Sequence, residues 1–98
     1  MAFTIEYNAH KNELLKAIRN VSFEEVLTNI SAGKLLADKI HHNKDRNNQR
    51  LYIVDIDGYA YVVPYVLNQE KGEIFLKTIY PSRKFTNLYL RSGGKNER

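Results

Sequence analysis

The chain contains no cysteine, which excludes disulfides and thiolate metal sites and agrees with a reducing compartment. No apolar run approaches ~18 residues, so no segment reads as a membrane span. The opening Met1-Ala2-Phe3-Thr4-Ile5-Glu6 lacks the basic start and apolar core of a signal peptide. Together these absences predict a soluble, cytoplasmic protein. There is no Gly-rich phosphate loop, no Gly-x-Ser-x-Gly elbow and no Cys–His arrangement. His41 and His42 are adjacent and His10 is distant in sequence, so a zinc site is not expected, nor is any other metal or cofactor.

What is present fits one domain. A chain of 98 residues buries ~65% of the surface that its unfolded form exposes, enough for one core. Hydrophobic residues make up 43% and charged residues 27%, near globular averages, so most of the chain should fold. The charge is unevenly placed. Residues 81–98 hold Arg83, Lys84, Arg91, Lys95 and Arg98 against Glu97 alone, which accounts for the whole net charge of +4. An excess of this kind favours an anionic partner.

Phe3-Thr4-Ile5-Glu6-Tyr7 alternates as a short strand. Asn8 reads as an N-cap for a helix through about Arg19, with Leu14, Leu15 and Ile18 inward. Ser22-Phe23-Glu24-Glu25 has the form of a capping box, in which Ser22 and Glu25 satisfy each other's backbone N–H groups. Phe23, Val26, Leu27 and Ile30 then form an amphipathic stripe ending near Gly33. Leu35 to Ile40 reads as a strand, and the polar stretch from His41 to Gln49 as a loop. Asp57-Gly58 suits a type I′ turn between strands Leu51 to Ile56 and Tyr59 to Val66. A last strand runs from Glu73 to Tyr80. Ser82 caps a final helix through about Leu90, with Phe85, Leu88 and Tyr89 available for docking. The domain thus spans residues 1–91, with 92–98 as a flexible basic tail. The fold class is α+β: two N-terminal helices on one face of a three- to four-stranded antiparallel sheet, followed by a short C-terminal helix.

The Asp57-Gly58 turn pairs Ile56 with Tyr59, Val54 with Tyr61, Tyr52 with Val63 and Arg50 with Tyr65. One face carries Leu51, Ile53, Ala60, Val62 and Val66, which suits contact with the helices. The other carries Arg50, Tyr52, Tyr59, Tyr61 and Tyr65. Left open, that face offers rings and a guanidinium to unstacked RNA bases; alternatively, tyrosines simply suit a half-exposed sheet.

Three motifs carry a resemblance. Ile5-Glu6-Tyr7-Asn8-Ala9-His10-Lys11 resembles the opening Phe-Glu-Trp-Asp-Pro-x-Lys of the BrnT toxins of bacterial type II toxin–antitoxin modules. Val21-Ser22-Phe23-Glu24-Glu25-Val26 resembles that family's Val-Ser-Phe-Glu-Glu-Ala. Tyr80-Pro81-Ser82-Arg83-Lys84-Phe85-Thr86 resembles its Ile-Ser-Ala-Arg-Arg-Ala-Thr, which links the last strand to the terminal helix. Lys84 stands in place of an arginine, and Thr78 where relatives often carry one. The resemblance implies a RelE-like fold, a metal-independent endoribonuclease that inhibits translation, and a cognate antitoxin protein as partner.

Metal-free RNA cleavage needs a base for the ribose 2′-hydroxyl, cations for the transition state and an acid for the leaving oxygen. Arg83 is the leading cation, because its fork matches two phosphate oxygens and a helix N-terminus adds backbone donors. Lys84 follows it, and Arg50 opposite Tyr65 is next. His41 and His42 are candidates for proton transfer. Tyr52, Tyr61, Tyr65 and Tyr80 are candidates for base contact, and Lys77, placed inside the last strand, for phosphate. Solvated charge, a strand-edge cation and packed tyrosines are the plain alternatives for these residues. Two other functions suit the same features: a non-catalytic RNA- or DNA-binding module, and an inactive toxin relative that acts as a protein-interaction partner. The latter includes a homodimer through a free sheet edge or a toxin–antitoxin hetero-oligomer.

Overall fold

A computed structural model describes residues 3–40 and 49–91. Strand β1 (Thr4–Tyr7) leads into helices α1 (Ala9–Arg19) and α2 (Phe23–Ser31). Strands β2 (Leu35–Ile40), β3 (Gln49–Ile56), β4 (Tyr59–Asn68), β5 (Glu73–Leu76) and β6 (Tyr80–Pro81) follow. Helix α3 (Arg83–Thr86) continues as a π-helical turn, Asn87–Arg91. The fold is α+β, as the sequence predicts, but the sheet is mixed and has six strands. The order is β1-β5-β4-β3-β2, with β6 also paired to β4. β1 pairs with β5 in parallel, which corrects the expected three to four antiparallel strands to a mixed six-stranded sheet.

Local signals set the helix ends. The Asn8 side chain accepts a hydrogen bond from the Lys11 N–H at 2.8 Å, satisfying one of the donors that a helix start leaves free. Asn20 closes α1 in the left-handed region at φ 58°, which asparagine tolerates better than most residues. Ser22 Oγ accepts from the Glu25 N–H at 3.0 Å. The return bond from Ser22 to the Glu25 carboxylate is not made among the described residues. Its neighbour Glu24 instead accepts from Asn12 Nδ2 at 2.8 Å.

Asn12 joins the two helices. Its Oδ1 accepts from the Phe23 N–H at 2.8 Å, in the core. Phe23 is fully buried, and its ring stacks on Tyr7 with centroids 4.8 Å apart. The first core therefore joins β1, α1 and α2 to Val54, Ile56, Val63, Tyr65, Leu76 and Ile79 of the sheet and its loop.

The hairpin pairs are those expected: Ile56 with Tyr59, Val54 with Tyr61, Tyr52 with Val63 and Arg50 with Tyr65. Asp57 and Gly58 both take positive φ, 55° and 84°, as a type I′ turn requires. The assignment of faces is reversed. Tyr52, Tyr61 and Tyr65 pack in the first core, beneath α1 and α2. Val54, Ile56 and Val63 share their parity, and those aliphatic residues bring the helices onto this face. Ile53, Ala60 and Val62 form a second core on the opposite face, covered by Phe85, Tyr89 and Leu90. Helices thus lie on both faces. Leu88, expected to dock, is exposed. The wider π-helical turn brings Leu90 to the inner side in its place.

β5 ends at Leu76, short of the expected Tyr80. The cause is Pro64 on β4. Facing residues in a hydrogen-bonded antiparallel pair exchange two bonds. Lys77 N–H donates to the Pro64 carbonyl at 2.8 Å, but proline has no N–H to return. Pairing lapses over 77–79 and resumes one residue out of step. Tyr65 faces Leu76, whereas Val62 faces Tyr80. The extra residue sends Tyr80 to the second face and leaves Ile79 buried in the first core.

Replacing Asn12 by alanine leaves the Phe23 N–H buried without a partner and breaks the link to Glu24. The expected cost is about 2–3 kcal/mol, read as a lower urea midpoint with an unchanged slope.

Candidate nucleic-acid interface

The strand-to-helix junction is fixed by a compact set of bonds around Ala60. The Ser82 N–H donates to the Ala60 carbonyl at 2.9 Å. The Ala60 N–H donates to Thr86 Oγ1 at 2.8 Å, and that hydroxyl donates onward to the Ser82 carbonyl at 2.7 Å. Ser82 Oγ caps the turn by accepting from the Phe85 N–H at 3.1 Å. Thr86 is fully buried. Two residues project from this anchored turn, and both Arg83 and Lys84 are exposed. Neither side chain makes an ion pair or hydrogen bond to a described residue. The Lys84 ammonium lies 5.5 Å from the Phe85 ring centroid, a cation–π contact that keeps it over the helix surface.

Tyr80 and Lys77 belong to the same region. Tyr80 is 38% exposed and lies beside Val62 on the second face. Lys77 is exposed, but it stands in the break after β5 and not inside a strand. Its backbone is pinned at Pro64, two residues along β4 from Val62.

Arg50 lies elsewhere. It pairs with Tyr65, five residues along β4 from the Ala60 anchor, or roughly 17 Å at strand rise. It also shares the first face with Tyr52 and Tyr65, opposite α3. Its Nε donates to Tyr65 Oη at 2.9 Å and to Asp38 Oδ1 at 3.2 Å. Tyr65 Oη donates to the same Asp38 oxygen at 2.7 Å, and its ring stacks on Tyr52 at 4.0 Å. Asp38 was not singled out in the sequence. Its cue is the β2–β3 register, which sets it opposite Tyr52 and two residues from Arg50's partner Ile40, on the same face.

This cluster suits structure better than proton transfer. Burial, then the bond to Asp38, pushes the Tyr65 pKa far above the ordinary tyrosine value. Burial likewise raises that of Tyr52. Bonds to Tyr65 and Asp38 push the Arg50 guanidinium up, holding it charged. Its charge is already balanced by Asp38. A cavity of 580 Å³ opens at this end, lined in part by Ile40, Arg50, Val66 and Glu70. It is remote from Arg83, and Asp38 and Glu70 make this end unfavourable for phosphate.

The structure therefore places Tyr80 on the second face, Lys77 at the strand break opposite Pro64, and Arg83 and Lys84 on the helix that covers that face. It separates from them Arg50, Tyr52 and Tyr65, and holds Tyr61 beneath the helices, edge-on to Tyr59 at 6.1 Å. His41 and His42 lie outside the described residues, as does the tail from 92. Among the described residues no three histidine, aspartate or glutamate side chains form a group able to hold a metal ion. No described helix is long and apolar enough to cross a membrane. No family model, no curated protein and no solved structure matches this chain.

The Tyr65 proton gives a pH test. Its raised folded-state pKa means that the unfolded chain loses this proton first, near pH ~10. Stability contributed by the neutral hydroxyl is complete below that pH and is lost as pH rises further. Urea midpoints measured between pH 8 and 11 should fall at the alkaline end, and less steeply in Tyr65→Phe.

Proposed function

We propose that this protein is a BrnT-like toxin: a metal-independent endoribonuclease that cleaves RNA and inhibits translation, with an antitoxin protein as its partner. The reading is carried by one observation. Arg83 and Lys84 stand on a backbone fixed at Ala60 and Thr86, yet their charges have no described counter-ion. Unbalanced cations on a rigid support stabilise an incoming phosphate without reorganising. The element order, a strand, two helices, a run of strands and a terminal helix, is the order implied by the resemblance.

In this reading the ribose 2′-oxygen attacks phosphorus as its proton passes to a base. The bond from phosphorus to the 5′-oxygen breaks, and that oxygen takes up a proton. The products are a 2′,3′-cyclic phosphate and a 5′-hydroxyl end. Arg83 binds two non-bridging oxygens through its fork, and Lys84 adds a point charge. Lys77 holds a neighbouring phosphate and Tyr80 a base. Proton transfer falls to His41 or His42, whose imidazoles suit it near neutral pH.

Binding without cleavage is the second reading. It is favoured by the absence of a histidine beside Arg83 among the described residues, since His10 opens α1 on the other face of the sheet. Incubation of RNA with the protein in EDTA separates the two. Cyclic-phosphate ends should form, and Arg83→Ala should slow their formation about 100-fold or more. Intact RNA with salt-sensitive binding would establish the second reading. Cleavage undiminished in Arg83→Ala would remove Arg83 from the site.

A further inference from the structure

The terminal helix covers only part of the second face. Its contacts are Ile53, Ala60 and Val62, with Leu36, Ala37 and Leu51 around them. Among the described residues, no helix packs on the part formed by β1, β5 and the far end of β4, and there a phenylalanine is turned outward. Phe75 is 36% exposed. It faces Val66 across β4 and Glu6 across β1. Cross-strand partners point to the same side, so all three share the second face with Val62 and Tyr80. Glu6 is exposed, and its carboxylate has no hydrogen bond or ion pair among the described residues.

We propose that Phe75 and Glu6 form a base-recognition site for single-stranded RNA, with Phe75 as the stacking ring and Glu6 as the acceptor that selects guanine. The proposal rests on the RNA reading of Arg83 and Lys84. Val62 and Val66 are four residues apart on β4, so Tyr80 and Phe75 are separated by roughly 13 Å. Lys77 is pinned at Pro64, midway between them. The path therefore runs from an acid and a ring, past one cation, to a second ring and two cations. Phosphates are drawn to the cationic end. Glu6, with Glu73 two residues from Phe75 on the same face, repels phosphate from the other end and favours a base there.

The choice of base follows from donor patterns. A carboxylate only accepts hydrogen bonds. Guanine offers it two adjacent donors, the ring N1–H and the exocyclic amino group. Uracil offers one N–H flanked by two carbonyl oxygens, which the carboxylate repels. Stacking on an aromatic side chain with hydrogen bonds to the exposed base edge is the usual means of reading single-stranded RNA.

The test uses ten-nucleotide uridine oligomers with and without one central guanosine, 2′-O-methylated so that cleavage cannot occur. The parent should bind the guanosine oligomer about tenfold more tightly. Glu6→Gln should abolish that preference without weakening binding of the all-uridine oligomer. Phe75→Ala should weaken both about tenfold, and Phe75→Leu, which keeps the apolar packing but removes the ring, should do the same. Equal affinity of the parent for both oligomers, with Arg83→Ala weakening both, would overturn this site and leave the RNA reading standing. A preference that survives Glu6→Gln would also overturn it. If neither oligomer binds, both readings fail together.

Discussion

The arrangement of the second face depends on one missing hydrogen-bond donor. Pro64 lies within β4, the strand that pairs with β3, β5 and β6. Its carbonyl accepts from Lys77, but it has no N–H to give back, so the last strand breaks there. The break inserts one residue and reverses the alternation that follows. Ile79 enters the first core, and the Arg19 guanidinium donates to its carbonyl at 2.7 Å. Tyr80 moves to the second face, and Ser82 arrives beside Ala60, where its backbone and Thr86 take up both polar groups of that residue. With an unbroken register, Tyr80 would point under the N-terminal helices.

Two residues of one type show how the surroundings decide whether a charge is used within the fold. Arg50 and Arg83 are both arginines at the rim of the sheet. Arg50 donates to a buried tyrosine and pairs with Asp38, so its charge is used inside the fold. The Asp38, Arg50, Tyr65 and Tyr52 cluster joins β2, β3 and β4 at the end remote from the hairpin turn. Arg83 has an anchored backbone and a side chain with no partner among the described residues. Rigid support with unspent charge is what phosphate binding requires, and sequence position alone does not reveal it.

Much of the fold is legible from local chemistry. Asn8, Ser22 and Ser82 act as caps because each side chain accepts from a backbone N–H three residues on. Asp57-Gly58 fixes the register of β3 on β4 through its positive φ angles. Less legible are the outcomes that depend on distant partners. Tyrosine's tolerance of water suggests an open face, but Val54, Ile56 and Val63 share that face and the helices follow them. Pro64 carries a usable signal, since a proline inside a strand marks lost pairing on one side. Asn12 carries none, because its partners Phe23 and Glu24 are on the next helix.

The sequence by itself therefore determined the elements, their caps, the hairpin register and the excess of basic residues near the C-terminus. These follow from interactions between residues close in the chain, where geometry is set by a few dihedral angles. Only the tertiary structure decided which face each helix covers, that β1 lies parallel beside β5, and that Arg50 is neutralised by Asp38 while Arg83 meets no acid among the described residues. Those outcomes depend on the burial of apolar area and the pairing of charge between segments tens of residues apart. Such competition is settled by the packing of the whole domain.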